Sequence, residues 1–317
     1  MVELLMLPQL TQDRLYITDG GLETSLIFHE GLELADFAAF DLLKDPAGVE
    51  ALRRYYAPYV EIARERGLGV VLDTPTWRAS RDWGEGLGYS PAQLADANRR
   101  AVDLIREIAD AQPDVPAVLN GVVGPRGDGY AVGEAMTADE AASYHAEQIG
   151  TFAGAGVDMV SAITMTYVDE AIGIARAAYD AGVPSVISFT VETDGRLPSG
   201  QPLRAAIEQV DAETDATPAY FMINCAHPTH FAAVLEDDGP WLERIGGLRA
   251  NASTMSHAEL DEAEELDDGD PADLAAQHAA VHTRLPAVCV LGGCCGTDAR
   301  HVAEVAAAWG ADVRRIA

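Results

Sequence analysis

Eight short apolar runs recur along this chain, each too brief for a helix, and stretches with helical spacing lie between them. The runs fall at 15–19, 69–73, 117–121, 158–163, 184–190, 219–224, 245–251 and 288–292. Several are apolar without interruption, as parallel strands covered on both faces must be. The intervening Ala-rich segments include 91–109, 138–155 and 168–181; the last closes on Ala181-Gly182-Val183-Pro184, a glycine stop followed at once by the next run. Eight strand–helix alternations in 317 residues predict an α/β fold, a single-domain (β/α)8 TIM barrel over 1–317, in preference to an open doubly wound sheet. No internal repeat or linker-like composition divides it.

In such a barrel, chemistry gathers at the C-terminal ends of the strands. The polar residues fall there. Strand one runs into Asp19-Gly20-Gly21-Leu22-Glu23-Thr24, and strand two into Asp73-Thr74-Pro75-Thr76-Trp77-Arg78. Strand five ends in Ser188-Phe189-Thr190-Val191-Glu192, strand six in Asn224-Cys225, and strand seven in Asn251-Ala252-Ser253. Asp73 admits a structural or a functional role. Residues 20–45 exceed a minimal βα loop and are expected to cover the mouth. The acidic stretch 259–270 reads as a solvated loop and lacks the spacing of a calcium-binding loop.

Strand eight ends in Leu291-Gly292-Gly293-Cys294-Cys295-Gly296-Thr297, and Cys225 stands at the end of strand six. Three thiolates brought together are a soft-metal set, and Zn(II) is their usual occupant, with a fourth tetrahedral position open as a catalytic site needs. The remaining cysteine, Cys289, lies inside strand eight and reads as a core residue. His227 and His230, just past Cys225, either supply a fourth ligand or shape the loop. An ion held by three protein thiolates is a poor Lewis acid towards water and is better suited to holding a substrate thiolate. The matching electrophile is a methyl group on a cationic sulfur or nitrogen, and Trp77 or Tyr167 offers an aromatic face to that cation.

Composition narrows the partners. A formal charge of −30, with Lys44 the only lysine, argues against nucleic acid, whose phosphates must be met by basic side chains. Four cysteines in a chain of this length do not make a disulfide framework. Residues 1–10 lack the basic and apolar regions of a secretory leader, and no apolar run approaches a membrane span. The expected setting is cytoplasmic, with small-molecule partners, no membrane, and a homo-oligomer compatible with the sequence.

The set Asp19-Gly20-Gly21, Asn224-Cys225 and Gly292-Gly293-Cys294-Cys295-Gly296-Thr297 resembles the homocysteine S-methyltransferase family, and the likeness extends from Asp19 to the final helix. Ser188-Phe189-Thr190 followed by Asp194-Gly195-Arg196-Leu197 is similar to the family's strand-five segment. The resemblance implies a zinc-dependent methyl transfer to the thiolate of homocysteine or a related thiol. It implies Cys225, Cys294 and Cys295 as zinc ligands, with Asp19 on the substrate ammonium. It also implies backbone N–H groups of 74–77 on the carboxylate, so Thr74, Thr76 and Trp77 join Gly20, Gly21 and Asn224 as substrate-binding positions. Two positions depart from the family: Ile163 stands where a glutamate is usual, and Leu22-Glu23-Thr24 replaces a Gly-Thr. Glu23 is therefore a candidate to replace the missing carboxylate, grouped with Asp19 as catalytic. The rival readings are the same zinc–thiolate chemistry on another thiol or methyl donor, demethylation included, and a barrel that binds zinc or a metabolite without turnover.

Overall fold

A computed structural model describes residues 6–263 and 265–316. Eight parallel strands close into a barrel in sequence order. They are β1 (Tyr16–Ile17), β2 (Gly69–Asp73), β3 (Ala117–Val123), β4 (Met159–Met165), β5 (Ser185–Phe189), β6 (Tyr220–Asn224), β7 (Ile245–Ala250) and β8 (Val290–Gly293). β1 pairs with both β2 and β8, which completes the ring. The barrel expected from the alternation is the barrel observed, and residues 1–5, where no leader was read, lie outside the described residues.

Sequence explains the helices that wrap it. Pro91–Asp110 opens on a Ser90–Gln93 capping box and buries Leu94, Ala97, Asn98, Ala101, Val102 and Ile105, one stripe at helical spacing. Ala138–Ala155 begins on a Thr137–Glu140 capping box, and Val168–Ala181 stops at Gly182, whose φ of 71° is the left-handed turn the sequence signalled. The β6–β7 crossover differs from the expected pattern. In place of a long helix it carries Pro228–Phe231 and two 3-10 turns, Val234–Glu236 and Pro240–Arg244. Pro240, after Asp237-Asp238-Gly239, cannot extend a preceding helix.

Inside the barrel, side chains stack in layers. Val71, Val118, Met159, Val186, Tyr220, Met222 and Val290 form an apolar floor, closed from below by Leu7 and by Gln9, whose Nε2 donates to the Tyr220 hydroxyl at 3.3 Å. One layer higher the side chains are polar: Asp73, Asn120, Ser161, Ser188, Asn224 and Arg249, all buried. That change of polarity marks the working end. Residues 20–45 fold over it as short turns, including a π-helical one at Ser25–His29, and bring Phe28 and Phe37 to the rim of the mouth.

Candidate active site

A cavity of about 380 Å³ opens at the C-terminal end of the barrel. Its wall includes Asp19, Gly20, Gly21, Glu23, Thr74, Thr76, Trp77, Cys225, Cys294 and Cys295, so the strand-end residues singled out in the sequence converge in space. The sulfurs of Cys225, Cys294 and Cys295 lie within 4.8 Å of one another, and all four cysteines are free thiols. A tetrahedral ion with metal–sulfur bonds of about 2.3 Å separates its sulfurs by roughly 3.8 Å, so the trio fits one soft cation. Cys289 sits apart, its Sγ directed to the Gly246 carbonyl at 3.6 Å.

Local backbone geometry aims the sulfurs. Cys225 adopts φ 53°, a left-handed conformation unusual for a side-chain-bearing residue and one that costs energy. Asn251 Nδ2 donates to Cys225 Sγ at 3.6 Å, and Asn224 Nδ2 to Cys294 Sγ at 3.7 Å. The Cys294–Cys295 turn is packed against the loop after β1. A Cβ on Gly21 would come within 2.7 Å of the Cys294 carbonyl oxygen, so the glycine serves this backbone contact. Gly296 turns at φ 76°. Of the three thiols, Cys294 is held well below the ordinary range: it accepts hydrogen bonds from Cys225 and Cys295 and faces the Arg249 guanidinium. The other two are correspondingly pushed up.

Several expectations change in detail. Asn224 does not touch the cavity. It is fully buried beneath the sulfurs, accepting from Thr164 N at 3.0 Å and from Ser188 Oγ at 2.6 Å. Tyr167 is absent from the cavity wall, and its hydroxyl accepts from Met136 N at 3.1 Å. Trp77 does line the cavity; its Nε1 donates to the Ile163 carbonyl at 3.2 Å, and a cation of the chain itself, Arg78, already covers its ring at 4.0 Å. The backbone of 74–77 offers few free donors: Thr74 N–H goes to Asn120 O at 2.9 Å, Thr76 N–H to Thr74 O at 2.8 Å, and Pro75 has none. His227 and His230 shape their loops, bonding Thr229 Oγ1 at 2.8 Å and Thr254 O at 2.9 Å. The acidic stretch is more than solvated surface: Leu260, Asp261, Glu265 and Asp267 form part of the cavity wall, while Glu264 lies outside the described residues.

Three residues of the site were not singled out in the sequence. Arg249 reaches across the barrel from β7 and donates to Asp19 Oδ1 at 2.6 Å, to Asp73 Oδ2, and to the Gly293 carbonyl at 3.2 Å. Asp73 is thereby an internal counter-ion; its Oδ1 also accepts from Asn120 Nδ2 at 2.7 Å. Burial works against the charge of Arg249, but Asp73 and Asp19 outweigh it and keep the guanidinium protonated. Burial likewise pushes Asp19 up to about 7, opposed by Arg249 and by Tyr55, whose hydroxyl donates to Oδ2 at 3.1 Å. Glu23, partly buried in the wall, is raised to about 7 by desolvation, with Cys294 adding to the effect. Tyr130 places its hydroxyl 3.0 Å from Cys225 Sγ and 3.3 Å from Cys295 Sγ, with its ring stacked on His257 at 4.2 Å. Arg78 is the third. Tyr130 and Arg78 lie in loops, where no periodicity or spacing marks them, whereas Arg249 is a charged residue inside the strand run 245–251, a signal the sequence did carry.

Comparison with known proteins gives concordant results. The family model described as homocysteine S-methyltransferase matches residues 16–309. Homocysteine S-methyltransferase 4 of Zea mays is 24% identical over 316 residues, an overlap of 92% of this chain and 88% of that protein. Among solved structures, the oxidized form of the homocysteine methyltransferase MmuM from Escherichia coli superposes with a TM-score of 0.74 at 20% identity, covering 94% of this chain and 96% of that one. The metallated form of the same enzyme gives 0.68 at 20% identity, with the same coverage. At that identity the structural likeness speaks to the fold.

Proposed function

The chain belongs to the homocysteine S-methyltransferase family, and on that premise we propose that it transfers a methyl group from a sulfonium or quaternary ammonium donor to the thiolate of homocysteine or a close relative. The observation that carries this reading is the convergence of Cys225, Cys294 and Cys295 in the wall of the mouth cavity. Those three residues would hold Zn(II), which when bound keeps an incoming thiol deprotonated and nucleophilic near neutral pH.

The chain's own groups do the rest. Asn224 and Asn251 donate to the cysteine sulfurs and hold them in place. Residues 20–45 and the loop carrying Tyr130 cover the mouth, which limits water around a reacting thiolate. The Tyr130 hydroxyl lies against two of the three sulfurs, so it yields ground when a substrate sulfur enters. Acidic groups around the cavity favour a cationic donor, which leaves as a neutral molecule. Holding donor and acceptor in line within one enclosed cavity supplies the entropic part of the rate.

Elemental analysis of the purified protein is expected to give one zinc per chain, and Cys294→Ser is expected to lose that metal and at least about a hundredfold in methyl transfer to homocysteine. A full zinc complement with no thiol methylated from S-methylmethionine or betaine contradicts the catalytic reading. A second reading, transfer to a thiol other than homocysteine, draws on Asp19. Its two oxygens are already engaged by Arg249 and Tyr55, and Ile163, in the same cavity wall, is apolar. An acceptor screen that ranks another thiol at least tenfold above homocysteine in kcat/KM decides for it.

A further inference from the structure

The cavity wall holds a second buried arginine, and its situation is the opposite of that of Arg249. Arg78 is 7% exposed, yet it makes no ion pair with any described carboxylate. Its guanidinium is sandwiched between Trp77 at 4.0 Å and Trp83 at 3.7 Å. One hydrogen bond is satisfied, Nη1 to the Gly127 carbonyl at 2.9 Å. Nε is buried with no partner among the described residues. A cation kept from water with no carboxylate in contact is costly, and burial draws the Arg78 pKa down to about 10 against the longer-range pull of Asp128 and Glu23. Two aromatic faces fix the plane of the fork, so its N–H donors are pre-oriented for a planar, two-oxygen anion.

We propose that Arg78 is the carboxylate anchor of this site: it binds the carboxylate of a substrate through its unpaired N–H donors and so selects thiols or methyl donors that carry one. The proposal rests on the methyltransfer reading for the identity of those substrates. Asp128 and Glu23 act on Arg78 only from beyond ion-pair distance, so a substrate carboxylate supplies what is missing, two acceptor oxygens in direct contact with the fork. With the N–H groups of Thr74 and Thr76 engaged and none at Pro75, the neighbouring backbone of 74–77 offers at most the Trp77 N–H beside the fork. Either substrate could bring that carboxylate, and the two sources are separable.

Calorimetric titration of the wild-type chain with L-methionine and with 3-(methylthio)propylamine, which lacks only the carboxylate, gives a readout independent of turnover. Methionine is expected to bind more tightly, and Arg78→Gln to weaken methionine 10- to 100-fold while leaving the amine unchanged. Arg78→Lys, which keeps the charge and loses the fork, is expected to fall between them, and its melting temperature checks that packing between the tryptophans survives. In kinetics, homocysteine is compared with 3-aminopropanethiol as acceptor, and S-methylmethionine with trimethylsulfonium as donor. A KM penalty in R78Q that follows the acceptor carboxylate, or the donor carboxylate, assigns the source; either supports the anchor. Equal penalties with and without a carboxylate on both substrates overturn it, as does a wild-type chain that binds methionine no better than the amine. A wild type that methylates no thiol yet discriminates the two titrants in an Arg78-dependent way refutes the methyltransfer reading and leaves the anchor standing.

Discussion

His278 shows how a single side chain couples to pH. It sits on Pro271–His282, fully buried, with both ring nitrogens unpartnered among the described residues. Burial, aided by the nearby His227, pulls its pKa down to about 3. The unfolded histidine titrates near 6.5, so the unfolded chain takes up a proton first as pH falls. Stability is therefore intact above about pH 6.5 and drains towards pH 3, by about 2 kcal/mol at pH 5. Thermal melts of His278→Leu are expected to lose that part of the acid slope; a slope equal to the wild type's between pH 6.5 and 4 would refute the assignment. The cysteine trio belongs to the same scale and was legible in the sequence, because Cys294 and Cys295 are adjacent among glycines and Cys225 stands at the end of another strand. His278 was not, since nothing in the sequence around it reveals that the helix face it occupies is sealed.

Between β4 and β6 the unit of behaviour is the element. Thr164 takes φ 68° where the β4–β5 register shifts, and the Asn224 side chain clasps that bulge from β6, accepting from Thr164 N and donating to Thr164 Oγ1 at 2.8 Å. The same carboxamide accepts from Ser188 in β5 and donates to Cys294 after β8. Asn224→Ala strands two buried donors and is expected to cost about 2–3 kcal/mol in urea denaturation. Zinc competition with a chelator is expected to show a 10- to 100-fold loss of affinity, because the support of one sulfur is gone. Unchanged denaturation midpoint and metal affinity together would show that the clasp is dispensable. Strand β6 and its terminal Asn-Cys were readable from the apolar run. The bulge was not, because a kink in β4 is set by what the neighbouring strands leave for it.

Across the whole barrel, Arg249 ties β7 to the ends of β1 and β2 through Asp19 and Asp73. Removing one partner of such a buried set leaves uncompensated charge, so Arg249→Met is expected to destabilise the chain by about 3–5 kcal/mol. Adding Asp73→Asn to that variant is expected to recover part of the loss, since it removes one of the stranded charges. A single variant within about 1 kcal/mol of wild type in chemical denaturation would mean that the triad contributes little beyond filling space. The three groups come from positions 19, 73 and 249, far apart along the chain, and meet only because the ring closes between β1 and β8.

The sequence alone determined the barrel, the strand ends where polar residues collect, and the three sulfurs that meet there. These follow from local signals: apolar runs of strand length, helix stops, and cysteines at strand ends, two of them in a glycine turn. Tertiary structure decided which charges neutralise one another and which stay open to a ligand. Asp19 and Asp73 face Arg249, while Arg78 lies between two tryptophans with donors to spare. Pairing among buried charges depends on distances of a few ångströms across a closed ring, and no spacing along the chain encodes them.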